Sequence, residues 1–265
     1  MHRRKSALLI ITFFLISFLY GCGTQSGQDI PKLVIGYDIC YPYNYVDEDG
    51  DPSGICVEIA REACRRMGYE PFFKEIEWDE KDTDLENGEI DCVWGCFSMN
   101  GRENEYSWIG PYMYSNQVVA VLENSEIRSL ADLEGKRVAV KAAAQPESIF
   151  LERPDNRIPQ VGAVYCLTEM DEVVTALRND YVDACAGYYA TLLSLLKKTD
   201  VQYRFLDDVL MRSRVGIAFL KGDNSEVRKE LTVVLQEMLE DGTMKQILEA
   251  YGLDSEKALG GIRIE

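Results

Sequence analysis

The chain has 265 residues, with 28 basic and 45 acidic side chains and a formal net charge of −17. So acidic a surface is repelled by nucleic acid and by anionic lipid head groups, which excludes both as charge-driven partners. The one histidine, His2, stands at the extreme N-terminus, and neither a CxxC pair nor a Gly-x-Ser-x-Gly run occurs, so the usual zinc and hydrolase signatures are missing.

Arg3, Arg4 and Lys5 precede an uncharged run, Ala7–Tyr20. A basic start, a short apolar stretch and a small residue before the cut describe a secretory signal over residues 1–21, too short for a comfortable membrane span. Cys22 stands where a bacterial lipobox has the cysteine that receives diacylglycerol, and an uncleaved N-terminal anchor is the alternative. Residues 22–31 are predominantly polar and read as a flexible tether. Either way the rest of the chain works outside the cytoplasm, held to a membrane. Loss of the three basic residues leaves 25 against 45 acidic, or −20, so the acyl chain rather than charge must do the anchoring. Seven cysteines remain after Cys22, an odd count, mostly in apolar contexts; they read as buried thiols acting as small hydrophobes. No metal or cofactor is expected.

From Lys32 the elements follow in order. Residues 32–37 (KLVIGY) predict a strand, 55–67 a helix stopped by Gly68, 70–76 a strand, 82–87 a short helix stopped by Gly88, and 90–94 a buried strand. This βαβαβ order predicts a parallel sheet covered by helices. A similar plan then begins again: strands at 118–122, 137–141, 164–167 and 182–186, with helical segments at 129–133, 146–151, 170–179 and 189–197. A strand at 215–220 and helices at 225–240 and 244–251 complete the reading, with 254–265 as a C-terminal tail. Two such units imply a cleft between them, where ligands favour the carboxyl ends of parallel strands.

Several stretches carry a family resemblance. They are Ile35-Gly36-Tyr37-Asp38 with Pro42-Tyr43, Gly88-Glu89-Ile90-Asp91, Arg102 with Gly110-Pro111-Tyr112, Asp132 to Val140, Tyr181-Val182-Asp183-Ala184, and Leu239 to Met244. In this order and spacing they resemble the family 3 extracytoplasmic solute-binding proteins, the polar amino-acid receptors of bacterial ABC importers, over nearly all of residues 32–253. The resemblance implies an α/β, two-lobed, periplasmic-binding-protein-like fold, its lobes joined by two crossing strands and its ligand cleft between them. Lobe 1 would comprise 32–114 with a return segment at 215–253, and lobe 2 would comprise 115–214.

Site residues follow from the same resemblance. Arg102 matches the arginine that grips the ligand's α-carboxylate, a task suited to a planar, permanently charged guanidinium donating two parallel bonds. Gly95, Cys96 and the Ser98 hydroxyl should border the cleft. Trp78 matches a hydrophobic wall, with a core role as the alternative; Tyr41 is expected opposite, taking the place of an aromatic that relatives have at Cys40. Asp38 corresponds to an acid near the site, although a turn-capping role reads equally well. In the second lobe, Ala144 and Gln145 begin a helix whose free N–H groups suit a carboxylate. Lys141 either reaches a polar ligand side chain or forms a rim salt bridge. Relatives carry Gly-Thr or Gly-Ser where this chain has Ala143-Ala144, and an aspartate for the ligand's ammonium where it has Tyr188. Asp38 or another acid takes that load, or the ligand is not an ordinary α-amino acid.

The function implied is a membrane-tethered, monomeric receptor that hands a small carboxylated solute, an amino acid or derivative, to an ABC permease. Two alternatives stay open: a ligand sensor feeding a separate signalling partner, and a dehydratase-type enzyme on the same fold, for which no catalytic pattern is visible.

Overall fold

The computed structural model describes residues 30–264; the expected signal, Cys22 and the tether up to Asp29 lie outside the described residues. β1 (Lys32–Tyr37) buries Leu33, Ile35 and Tyr37. A loop carrying the small hairpin of β2 (Tyr45–Val46) and β3 (Pro52–Ser53) leads to α1 (Ile55–Met67). On α1, Ile55, Cys56, Ile59, Ala60, Ala63 and Cys64 make one buried face, and Gly68 stops the helix with φ 73°, a left-handed conformation that a β-carbon resists. β4 (Glu70–Glu75), α2 (Lys81–Asn87) and β5 (Cys92–Ser98) complete the first unit. β1 lies at its centre, paired in parallel with both β4 and β5.

β6 is the largest departure from expectation. It runs for 16 residues, Ser107–Leu122, where the sequence predicted a short strand at 118–122. Gly110-Pro111 sits inside it, a dipeptide that ordinarily punctuates a strand. The second unit follows as β7 (Arg137–Lys141), α3 (Gln145–Glu152), β8 (Ala163–Leu167), α4 (Met170–Arg178), β9 (Ala184–Tyr188) and α5 (Tyr189–Leu196). β7 pairs in parallel with β8 and β9. Then come β10 (Tyr203–Phe205), β11 (Met211–Phe219), α6 (Glu226–Glu240), α7 (Thr243–Ala250) and α8 (Ser255–Leu259).

Strand pairing runs as one path, β4-β1-β5-β11-β6-β9-β7-β8, with β10 on β6. The sheet is therefore mixed and continuous rather than two separate parallel sheets. β6 and β11 cause this: they pair antiparallel from Gln117↔Met211 to Ser107↔Phe219 and so thread both halves. The cores stay distinct. One gathers Leu33, Ile35, Trp94, Ile109, Tyr112, Val215, Leu231 and Leu235. A second, on the same side, gathers Ile76, Leu85, Ile90, Phe97 and Trp108, and two more, beyond the crossing, gather Val119, Val121, Val138, Val140, Ala184 and Leu206, and Val118, Ala139, Val173, Leu177 and Leu196. Hydrophobic burial is thus organised as two lobes even though the ladder is shared.

The expected tail is also corrected. Ser255–Leu259 form α8, capped by Asp254, whose carboxylate accepts from the Lys257 N–H, and the segment from there to Ile264 brings Ala258 and Ile264 into the first core. The thiol reading holds for Cys56, Cys64, Cys92 and Cys185, which are buried, but Cys166 is exposed and Cys40 and Cys96 are half-buried. Among the described residues no helix is long and apolar enough to cross a membrane.

Deleting residues 254–265 should cost at least ~2 kcal/mol, the value of one fully buried isoleucine side chain. Urea unfolding of the shortened protein is the measurement; an unchanged midpoint would mean that the segment adds nothing to the core.

Candidate functional site

Four strands end at one place. Asp38 directly follows β1, Ser98 closes β5, Lys141 closes β7 and Tyr188 closes β9, and all four line a single cavity of about 70 Å³. These are the carboxyl ends of the parallel strands of both units, where the sheet topology opens a crevice. At roughly 10–15 Å³ for each water, the space suits a compact molecule. The ion pair described next also borders an adjoining opening walled by Ile76, Glu77 and Thr168.

Lys141 Nζ donates to Asp38 Oδ2 at 2.9 Å, with side chains only 16% and 17% exposed. Burial alone would lower the pKa of this ammonium, but the charge of Asp38 and its hydrogen bond outweigh that, and the net shift is upward. A raised ammonium contributes its full stability below its unfolded value, near ~10.4, and loses it only as pH climbs through the higher folded value. Around neutral pH the pair is intact. Of the two roles expected for Lys141, the structure shows the salt bridge.

More links join the two lobes. Gln145 Nε2 donates to the Asn100 carbonyl at 2.7 Å, and the Tyr188 hydroxyl donates to the Cys96 carbonyl at 2.7 Å. The Cys40 thiol lies 3.6 Å from the Thr191 hydroxyl. Burial, with smaller effects from the Cys96 and Cys40 thiols, pushes the Tyr188 hydroxyl well above the ordinary tyrosine range, so it stays a neutral phenol.

Arg102 lines the cavity from the loop after β5, its guanidinium carbon 5.5 Å from the centre of the Phe97 ring. Its carboxylate neighbour, Glu105, is 4.0 Å away, beyond hydrogen-bond length. The guanidinium therefore keeps donors to spare. Ser98 is buried and its hydroxyl bonds within the turn, to Asn100 Oδ1 at 3.2 Å. Trp78 lines the cavity and packs edge-on against Phe97, ring centres 4.9 Å apart, beside Tyr106 and Trp108.

Two expected residues are elsewhere. Tyr41 is 38% exposed, packed on Tyr45 and under Lys198, and the cavity wall it was expected to form belongs to Cys40 itself. Gly95 stands behind the wall, where a β-carbon would meet Asn44 Nδ2 at 2.8 Å; its carbonyl accepts from Tyr112. The N–H groups ahead of α3 are also less free than expected. Ala142 N–H donates to the Leu167 carbonyl, and Ala143 N–H is taken by the Glu147 carboxylate. Ala144 and Gln145 do line the cavity.

Gln117, Thr191 and Met170 are lining residues that the sequence reading missed. Gln117 was out of reach because β6 was read too short. Its partner in register is Tyr188 on β9, so it projects beside a residue already assigned to the site.

A family model for the bacterial extracellular solute-binding proteins of family 3 matches residues 33–254. The probable amino-acid-binding protein YxeM of Bacillus subtilis is 26% identical over 257 residues, 94% of this chain and 96% of the relative. The L-cystine-binding protein TcyJ of Escherichia coli is 27% identical over 232 residues, 85% and 84% of the two chains. Among solved structures, Tv2483 bound to L-arginine superposes with a TM-score of 0.76 at 26% identity, covering 83% of this chain and 90% of that one.

Ala143 holds φ 55°, in the left-handed region, at the loop that enters α3. That conformation costs a residue with a β-carbon about 1–2 kcal/mol, and glycine returns about 0.4–1 kcal/mol of this through a freer unfolded chain. Ala143→Gly should therefore stabilise the protein by about 0.5–1 kcal/mol, a rise of ~1–4 °C in Tm for a chain of this size. A calorimetric melt that falls instead would show that the loop does not hold this conformation.

Proposed function

Because the chain belongs to the bacterial extracellular solute-binding proteins of family 3, we propose that it captures a small carboxylated solute, an amino acid or a derivative of one, in the cavity between its lobes. It delivers that solute to an ABC permease, working as a monomeric binder rather than a catalyst. The observation that carries the reading is Arg102, a largely buried guanidinium at the cavity with no carboxylate within hydrogen-bond length among the described residues. Relatives named for binding cystine and arginine point the same way.

In this reading Asp38, Cys96, Ser98, Lys141, Ala144, Gln145 and Tyr188 surround the solute, and Trp78 forms one wall. The lobes divide at 32–114 with 215–253 against 115–214, so that closing them over the solute bends β6 and β11 near Tyr114 and Arg214, partners in register. Cys22 carries the lipid that ties the protein to the outer side of the cell membrane, after removal of residues 1–21. The apolar run ahead of Cys22 and the polar stretch after it support this.

A thermal-shift screen of amino acids and small carboxylates identifies a ligand, since ligand at a hundred times Kd adds about 2.7 kcal/mol of stability. Arg102→Ala should then weaken that ligand by roughly thirtyfold to several thousandfold, the equivalent of about 2–5 kcal/mol for truncating one partner of a buried charge pair. Lysine should rescue only part, because it lacks the planar fork. Titration calorimetry showing wild-type affinity in Arg102→Ala would remove the arginine from the site.

Cys22→Ala should leave the precursor uncleaved or release the protein from the membrane. Fractionation that finds this variant processed and membrane-bound as before would rule out the acyl anchor.

A further inference from the structure

We infer that the cavity is built for a mono-anion: a carboxylate whose neighbouring N–H or O–H donor is neutral, as in an N-acyl amino acid or a 2-hydroxy acid, rather than a zwitterionic α-amino acid. This rests on the reading of the cavity as a carboxylate site and narrows the class of solute it takes.

Charge balance is the first ground. The charged side chains lining the cavity are Asp38, Lys141 and Arg102. Asp38 and Lys141 are consumed by each other at 2.9 Å, and Glu105, outside the lining, comes no nearer to Arg102 than 4.0 Å, which leaves Arg102 as the charge within the cavity that lacks a hydrogen-bonded partner. A mono-anion neutralises it. A zwitterion brings a third cation into a space already holding Lys141 and Arg102, with the one carboxylate of the lining, Asp38, engaged by Lys141, and a desolvated cation without a counter-charge is costly. To reach Asp38, the ligand's ammonium would have to displace Lys141 and strand a second buried cation.

The second ground is independent of charge. Gln117 is 2% exposed, lines the cavity, and its Oε1 has no hydrogen-bond partner among the described residues. A buried acceptor left unmatched calls for a donor. Gln117 sits in register with Tyr188, on the stretch of β6 that faces the carboxyl end of β9. Tyr188 is a neutral phenol whose own proton goes to the Cys96 carbonyl. This corner of the cavity thus holds neutral polar groups only, with the Gln117 amide oxygen as its unmatched acceptor. A neutral amide N–H or hydroxyl matches an amide oxygen without the desolvation that an ammonium demands.

The test is titration calorimetry on the mature protein with matched triads: an α-amino acid, its N-acetyl derivative and its 2-hydroxy acid, over the standard side chains. In the triad that binds most tightly, the N-acetyl or 2-hydroxy member should bind at least threefold more tightly than the amino acid. Lys141→Met, which releases Asp38 to meet an ammonium, should move that ratio at least tenfold toward the amino acid. Gln117→Met should weaken the preferred analogue about tenfold. An amino acid that ties with or beats both analogues in wild type overturns the inference while leaving the carboxylate site standing. A Lys141→Met ratio that stays put overturns the assignment of Asp38. If no member of any triad binds a protein that still melts cooperatively, the carboxylate reading falls, and this inference with it. The wild-type ratio decides the matter even if a variant fails to fold.

Discussion

The antiparallel pairing of β6 with β11 is the constraint on which everything else hangs. Among the described residues these two strands alone belong to both halves of the sheet, and their register, Gln117↔Met211 through Ser107↔Phe219, fixes where one half stands against the other. Between Val215 and Ile217 the register shifts on both sides, two steps of β11 opposing Trp94–Ser98 of β5 and Ile109–Met113 of β6. Because the register is fixed there, the carboxyl ends of β1 and β5 face those of β7 and β9, and the cavity forms where they meet. A slip of one residue in this ladder would turn Gln117 away from the cavity and reverse every buried position on the strand.

The walls so brought together are held by short polar links as well as by apolar contact, Tyr43 packing on Tyr188 with ring centres 5.8 Å apart. An ion pair, two side-chain-to-carbonyl bonds and a thiol–hydroxyl contact span the gap. Such links exchange readily with water, so separating the walls costs far less than exposing a hydrophobic interface of the same area. The aromatic group of Trp78, Phe97, Tyr106 and Trp108, by contrast, lies within one half and gives Arg102 a firm bed. Rigid support on one side and exchangeable links across the middle would let the two walls part at modest cost.

Much of this was legible in the residues. Helical periodicity ending at Gly68 and Gly88 located α1 and α2 to within a residue or so, because a left-handed stop leaves a clear mark. Arg102, Trp78, Lys141 and Tyr188 were assigned to the cavity from short motifs, and all line it. What escaped was long-range. The length of β6 was hidden by Gly110-Pro111, which a local reading takes as an end, and with it went Gln117. Tyr41 was chosen over Cys40 by residue type, whereas a β-bridge between Cys40 and Asn44 decides which side chain faces inward. The Asp38–Lys141 pair joins residues more than a hundred positions apart, and no periodicity reports such a meeting. The C-terminal segment looked like a tail because its apolar residues are few, yet Ala258 and Ile264 are enough to cover the first core.

The order in which the cores are assembled follows from where their residues lie along the chain. The cores beyond the crossing draw on positions from Val118 to Met211, an uninterrupted stretch. The first core needs Leu33 and Ile35 from the beginning together with Leu231, Leu248 and Ile264 from the end. A chain emerging residue by residue therefore has every part of its second lobe in hand while its first lobe still lacks a strand and three helices. The half that begins first is finished last, and until Ile264 emerges the apolar faces of β1 and α1 remain open to water or to whatever chaperone attends the growing chain.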